Sequence, residues 1–330
     1  MATLLGVGGA PDTQAYVRHA LHDEERVWPE TNCYVDLWIE VLHDLGLEPT
    51  AGLAFTLGLD FEGDQYTFFK YSHDELRTLY GIEVQELNLW KGLLTHAVEQ
   101  SELGRVLMPE VDSFFLPDTA GVSYQLEHTK TSIGIASVDV EHSELAYYHG
   151  RGKYTLSGPD FAGVFRLDQH QPNERTLPPF AEIAKLDRVI RLPSPELVER
   201  AIALTRKHLE LAPTQNPIAR HLACLDRDLA WVRTQSLGTF HQYAFATVRQ
   251  AGACYSLTAE FLRWLAANGE RGLEPAAAAF DSISTTAKTV QFKLARMVNL
   301  KREIDVTPLF QLMARSWDEG MLRLRDRFGA

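Results

Sequence analysis

Cysteine is scarce in this 330-residue sequence, which holds only Cys33, Cys224 and Cys254. An odd number with no CxxC spacing argues against a disulfide framework and against a thiolate zinc site. Long apolar runs are also missing: none approaches the roughly 20 residues that span a bilayer, so no membrane segment is expected. The opening MATLLGVGGAPDT has no basic region and only a short apolar stretch, which argues against a secretory signal. These features together predict a reduced, cytoplasmic protein. Positive charge is in deficit, with 32 Lys and Arg against 44 Asp and Glu, a net of −12. That balance argues against general nucleic-acid binding. Internal repeats and low-complexity tracts are absent.

The charge is unevenly spread. Residues 1–150 carry 25 acidic and 7 basic side chains, a net of −18, and residues 151–330 carry 19 and 25, a net of +6. Opposite signs in the two halves suggest two units with different surfaces. Either the halves attract each other or the basic half receives an acidic partner.

The hydropathy pattern divides the chain in the same way. Tyr34, Leu37, Trp38, Val41, Leu42 and Leu45 follow helical spacing and predict a helix over 33–45, capped by Thr31 or Asn32 and stopped at Gly46. Further helices are expected at 74–80 and 86–100, the second with Leu87, Trp90, Leu94 and Val98 on one face. Strand patterns follow at 105–111, 129–138, 145–149 and 153–156, with a turn at 141–144. Helices first and an antiparallel sheet second make an α+β unit over residues 1–168. A Pro-containing stretch at 169–195 reads as a linker or crossing segment. Residues 196–330 are helical in pattern and predict a helical bundle, including one long helix over about 240–268.

Cys33 is the residue that invites a chemical reading. A cysteine at the first position of a helix lies beside unsatisfied backbone N–H groups and the positive end of the helix dipole, which favour thiolate and can hold an oxyanion. The bland alternative is a small buried side chain, the role expected for Cys224 and Cys254 inside helical patterns. A nucleophilic cysteine needs a base, and His128, at the entrance to a strand, is the candidate. The alternative for His128 is a surface loop histidine. His19 and His22, three apart in RHALHDEE, could form a metal pair, but without a third ligand a solvated helix face is expected and no metal site is assigned.

The order of helix-leading Cys33, VDSFFLPD at 111–118, His128 opening a strand and the hairpin SVDVEHSELAYYHG at 137–150 resembles the papain-like cysteine-peptidase superfamily. Within it, the chain resembles the N-terminal domain of the butirosin-pathway acyltransferase BtrH. The whole chain also resembles an uncharacterised bacterial family in which blocks such as EVDSFFLPDT, HTKTSIG, YYHGRGKYTLSGPDF and KTVQFKLAR recur. The resemblance implies a papain-like N-terminal domain followed by an all-helical C-terminal domain. It further implies transfer of an acyl or aminoacyl group from the phosphopantetheine thioester of a carrier protein, through Cys33, to a small-molecule amine. No bound cofactor is implied, since phosphopantetheine belongs to the donor.

Two departures from that pattern bear on the site. Where relatives carry an Asp to orient the histidine, this chain reads His149-Gly150, so the third member is open between Asp112, Asp139 and His149. Antiparallel neighbours would bring Asp112, at the end of one strand, beside His128 at the start of the next. Asp139 is eleven residues from His128, over 30 Å if the chain is extended. The oxyanion glutamine is replaced by Val27, leaving Asn32 or a second backbone N–H for that role. Lys288, Lys293 and Arg296, on a basic helix, form a surface an acidic carrier protein could use, or an ordinary solvated face. Two other functions share these residues: a cysteine peptidase or amidase, and a non-catalytic carrier-protein-binding protein.

Overall fold

The computed structural model describes residues 16–167, 177–301 and 303–329. In chain order its elements are helix α1 (Cys33–Asp44), the short hairpin β1 (Phe61–Glu62) and β2 (Gln65–Tyr66), and helix α2 (His73–Tyr80). Strand β3 (Glu83–Glu86), helix α3 (Leu93–Glu102) and strands β4 (Val106–Asp112), β5 (Lys130–Ser132) and β6 (Gly134–Asp139) follow. Next come β7 (Glu144–His149), β8 (Gly152–Ser157), helix α4 (Pro159–Val164) and strand β9 (Ala181–Lys185). The rest is helical: α5 (Ser194–Leu211), α6 (Pro217–Val232), α7 (Leu237–Ala244), a π-helical turn (Phe245–Arg249), α8 (Gln250–Ala267), α9 (Glu274–Leu300) and α10 (Thr307–Phe328). Among the described residues no helix is long and apolar enough to cross a membrane.

The first compact unit takes residues 16–22, Asn32–Pro49 and His73–Arg191. Its sheet runs β3-β9-β4-β6-β7-β8, with β5 also on β4, and every pairing is antiparallel. β5 and β6 meet β4 in one register, with Asp112 opposite Lys130, Glu110 opposite Ser132 and Leu107 opposite Ile135. Side chains alternate between faces along each strand. Leu107, Val111, Ile135, Tyr147 and Ile183 share one face, where they form a core with Leu93 and Ala97 of α3 and Phe161 and Val164 of α4.

Helix α1 lies on the other face and crosses the strands along a single row. Glu182, Met108, Gly134, Tyr148 and Lys153 are successive neighbours in that row. The Tyr34 hydroxyl donates to Glu182 at 2.7 Å near the start of the helix. Asp44, at its end, accepts from the Tyr148 hydroxyl and from Lys153 Nζ at 3.0 Å. Between them a Cβ on Gly134 would stand 3.3 Å from the Tyr148 ring and 3.4 Å from Val41, so the missing side chain is what lets the helix settle.

The second unit takes Asp23–Thr31, Thr50–Ser72 and the chain from Leu192 onward. Its core is helix on helix. Trp28 is buried against Gly252 of α8, where a Cβ would stand 2.5 Å from the indole, and its Nε1 donates to the Ser284 carbonyl at 3.2 Å.

Residues 23–31 and 50–72 thus group with the helical unit. Several expectations are corrected. The 169–195 stretch is not simply a linker: Ala181–Lys185 is a strand between β3 and β4, and residues 168–176 lie outside those described. Only Ile183 in AEIAK is β-branched, so its strand character comes from two waiting neighbours rather than from propensity. The helix expected over 86–100 begins at Leu93, since Glu83–Glu86 pairs with β9, and Trp90 is 80% exposed rather than on a buried face. The long helix expected over about 240–268 is present as continuous helical backbone, with a π-helical turn inserted at Phe245–Arg249.

RHALHDEE is not a solvated helix face. His22 is fully buried, with Nδ1 against Glu40 and Nε2 3.4 Å from Asp36, both on α1. Burial alone lowers its pKa, but hydrogen bonds and charge from Asp36 and Glu40 outweigh that and raise it to about 9. Against the pull of burial, His22, the Tyr16 hydroxyl and the His19 N–H hold Glu40 below the ordinary carboxylate range. A folded-state pKa above the unfolded value near 6.5 gives stability that is fully present below pH 6.5 and is lost as pH rises through about 9. The span corresponds to on the order of 3 kcal/mol. Urea melts at about pH 6.5 and about pH 9.5 should show that loss in the native sequence and a much flatter profile in His22→Gln. Equal pH dependence in the two proteins would remove His22 as the cause.

Candidate functional site

Cys33 is the first residue of α1 and is partly exposed. Asn32 is the cap: its backbone is extended and its side-chain oxygen accepts from the Val35 N–H at 2.9 Å. The first bond of the helical ladder runs from Asp36 N to the Asn32 carbonyl at 3.0 Å, so the Cys33 N–H precedes the ladder. An oxyanion needs a donor, so the part of the Asn32 side chain that could serve one is its NH2 group. Asp36, one turn on from Cys33, is buried and stands against the protonated His22.

His128 sits two residues before β5, and Asp112 ends β4 on the strand beside it. His128 Nδ1 meets Asp112 Oδ2 at 2.5 Å. The other Asp112 oxygen accepts from the Phe114 N–H at 3.1 Å, so one carboxylate both caps the following turn and fixes the imidazole. The ring stacks on Phe114 at 4.3 Å between centroids. With Nδ1 tied to Asp112, Nε2 is the nitrogen left to accept a proton, and the side chain is 68% exposed. Asp112, Glu110 and Met108 alternate onto the same sheet face, the one that carries α1. The structure therefore brings Asp112 to His128 and places both on the face of Cys33. The ring contacts of His128 are Asp112, Phe114 and Phe115, and the Cys33 sulfur is not among them.

The other two candidates for the third member go elsewhere. Asp139 accepts from the ring and backbone N–H of His142 in the β6–β7 turn, at 2.8 and 3.0 Å. Those bonds hold Asp139 below its ordinary pKa and His142 above its own. His149 Nδ1 meets Asp118 Oδ2 at 2.6 Å and its Nε2 meets the Thr131 hydroxyl at 2.9 Å. Tyr147, two residues before His149, also donates to Asp118, and it belongs to the core on the face away from α1. The sheet thus carries two histidine–carboxylate pairs, one on each face.

Glu182 and His73, not among the expected site residues, meet Tyr34, the residue after Cys33. Tyr34 bonds Glu182, and His73 Nε2 lies 3.1 Å from the same carboxylate. Burial first, then the Glu182 charge, pushes the Tyr34 hydroxyl well above its usual pKa, so it remains a donor. A lone acid in the apolar AEIAK run was the available signal for Glu182. The alternation that puts Tyr147 and His149 on one face was the signal for the Asp118 cluster. Among the described residues no group of three or more His, Cys, Asp or Glu could hold a metal.

The basic helix is α9. Lys293 and Arg296 are exposed on it beside Phe292, itself 65% exposed. Lys288 is engaged within its own unit: its Nζ lies 4.2 Å over the Trp28 ring. Burial, then the nearby Arg249, lowers its pKa.

Residues 17–186 match the DUF1839 N-terminal domain and residues 194–326 match the DUF1839 C-terminal domain, and the chain belongs to this family. A search of curated proteins found none that matches it.

The three thiols differ in a way that alkylation can read. Cys254 is buried, and burial raises its pKa well above the ordinary value. Under native conditions iodoacetamide, followed by peptide mass mapping, should label Cys33 ahead of Cys254, which should react only on unfolding. Asn32→Ala should cost about 1 kcal/mol of stability and slow the labelling of Cys33 by loosening the first turn. Labelling of Cys254 before Cys33 would overturn this order.

Proposed function

We propose that this DUF1839-family protein is a cysteine-dependent acyl- or aminoacyl-transferase with a papain-like N-terminal domain. The observation that carries the reading is the placement of Cys33 at a capped helix start on the sheet face that also bears the Asp112–His128 pair. His128 Nε2 takes the Cys33 proton, and the sulfur attacks the carbonyl of a carrier-protein phosphopantetheine thioester. The pantetheine thiol leaves with that proton, and the acyl group remains on Cys33 as a thioester. An amine then attacks, His128 accepts its proton, and the Cys33 thiolate departs and is reprotonated, leaving an amide. The Cys33 N–H and the Asn32 NH2 are the donors for the oxyanion in both steps. Asp112 holds the imidazole tautomer throughout. Lys293, Arg296 and Phe292 on α9 supply the surface for an acidic carrier protein, and the setting is cytoplasmic.

A second reading rests on the same geometry. Cys33 makes no hydrogen bond to the Asp112–His128 pair among the described residues, which favours a non-catalytic protein that binds a loaded carrier. If water replaces the amine, the same residues make a hydrolase.

Intact mass after incubation with an aminoacyl- or acyl-loaded carrier protein separates these readings. The native chain should gain the mass of the acyl group, and Cys33→Ala should not. His128→Ala should slow adduct formation at least about 100-fold and Asp112→Asn by about 10-fold or more. No adduct with any loaded carrier, together with carrier binding that survives Cys33→Ala, would replace the transferase by the binding protein.

A further inference from the structure

The helical unit contains a groove of about 700 Å³ lined by Gly63 and Asp64 of the β1–β2 turn, Arg227, Asp228 and Trp231 of α6, and Tyr243 of α7. That volume lies within the usual range of small-molecule sites. We propose that this groove binds a small organic ammonium ion, its cationic nitrogen on Asp228 and its apolar body against Trp231.

The charge of the lining favours a cation. Asp64 and Asp228 face one basic group, Arg227, and that guanidinium is already used. Its Nε donates to Asp228 Oδ1 at 2.8 Å and its Nη2 to the Gly63 carbonyl at 3.3 Å. The hydrogen bond and charge of Asp228 raise the Arg227 pKa, so the pair stays ionised. The second oxygen, Asp228 Oδ2, is sealed from solvent and accepts no hydrogen bond. The Asp228 side chain as a whole is only 11% exposed. A buried carboxylate oxygen without a donor is costly, so turning Asp228 to bring this oxygen to an ammonium N–H in the groove is favourable.

The walls fit the rest of such a ligand. Trp231 is 57% exposed, a large aromatic face presented to the groove. Cations and their alkyl or aryl bodies both gain on such a face. The Tyr243 hydroxyl lies 3.2 Å from His221 Nε2, and burial, then the Asp228 charge, keeps it protonated by raising its pKa. His221 is the basic group behind this wall, packed between Phe61 and Phe310. Burial lowers its pKa to about 3, so it adds no positive charge to repel a cation. The π-helical turn follows directly after α7, and such turns recur beside functional sites. None of these observations involves Cys33, so the proposal is independent of the catalytic reading.

Calorimetric titration of the full chain with 2-phenylethylamine, beside the neutral 2-phenylethanol and the anionic 3-phenylpropionate, tests it. The amine should bind saturably with a Kd on the order of 1 mM or tighter and raise the thermal midpoint. The alcohol and the acid should bind at least about tenfold more weakly, because they bring no ammonium to Asp228. Asp228→Asn and, separately, Trp231→Ala should each weaken the amine about tenfold while the far-UV spectrum is kept. Equal binding of amine and alcohol would make the groove merely apolar and sink the proposal. So would preference for the acid, lack of saturable amine binding, or unchanged affinity in folded Asp228→Asn. Should Asp228→Asn fail to fold, the Trp231→Ala titration and the alcohol comparison decide.

Discussion

The organising constraint of the first unit is the passage of α1 across one row of an antiparallel sheet. Tyr34 holds its start to Glu182, Asp44 holds its end to Tyr148 and Lys153, and Gly134 clears the middle. An amphipathic helix alone could pack on a sheet at several angles. Polar ties at both ends, each partly or wholly out of solvent, leave one. The position of Cys33 follows, because the helix start is set by the Tyr34 anchor one residue later. The sheet register then decides which side chains share its face. Shifting β5 by one residue would move Ser132 and Lys130 to the opposite face.

That register separates two chemically similar clusters. Asp112–His128 faces α1, is largely exposed, and leaves Nε2 open. Asp118–His149–Thr131 faces the core on the other side, and both ring nitrogens of its histidine are engaged. A histidine with both nitrogens bonded and little exposure satisfies buried polar groups and is a poor proton shuttle. An exposed histidine held at Nδ1 by a carboxylate has the arrangement that proton transfer requires. Composition and motif alone would rank the two alike, and position on the sheet distinguishes them.

Much of the local structure was legible in the sequence because it rests on local rules. The 3.6-residue spacing from Tyr34 onward gave a helix that ends within a residue of expectation, and the Asn32 cap follows from its short acceptor side chain. The Asp112–His128 contact was also legible, since it follows from antiparallel order. What escaped depends on distant partners. Glu83–Glu86 and Ala181–Lys185 are strands because each completes the other's hydrogen bonds across nearly a hundred residues. The burial of His22 needed two acids on α1 to offset desolvation, which no window of sequence around RHALHDEE contains. The assignment of 23–31 and 50–72 to the helical unit turns on pairings such as Trp28 with Gly252 that have no sequence period.

The electrostatics around Cys33 limit how its placement can be used. A helix start is worth about 0.3–1 kcal/mol to a nearby negative charge. Asp36, on the same first turn, opposes a second negative charge, and His22 offsets it only while that imidazole is protonated. Asp36 and Glu40, both buried on α1, would be untenable as carboxylates in this setting without the His22 proton between them. The helix end thus contributes modestly, and the acids of α1 partly cancel it. In the proposed transferase the Cys33 proton goes to His128 Nε2, so that proposal depends on the approach of His128 to Cys33 more than on the helix dipole.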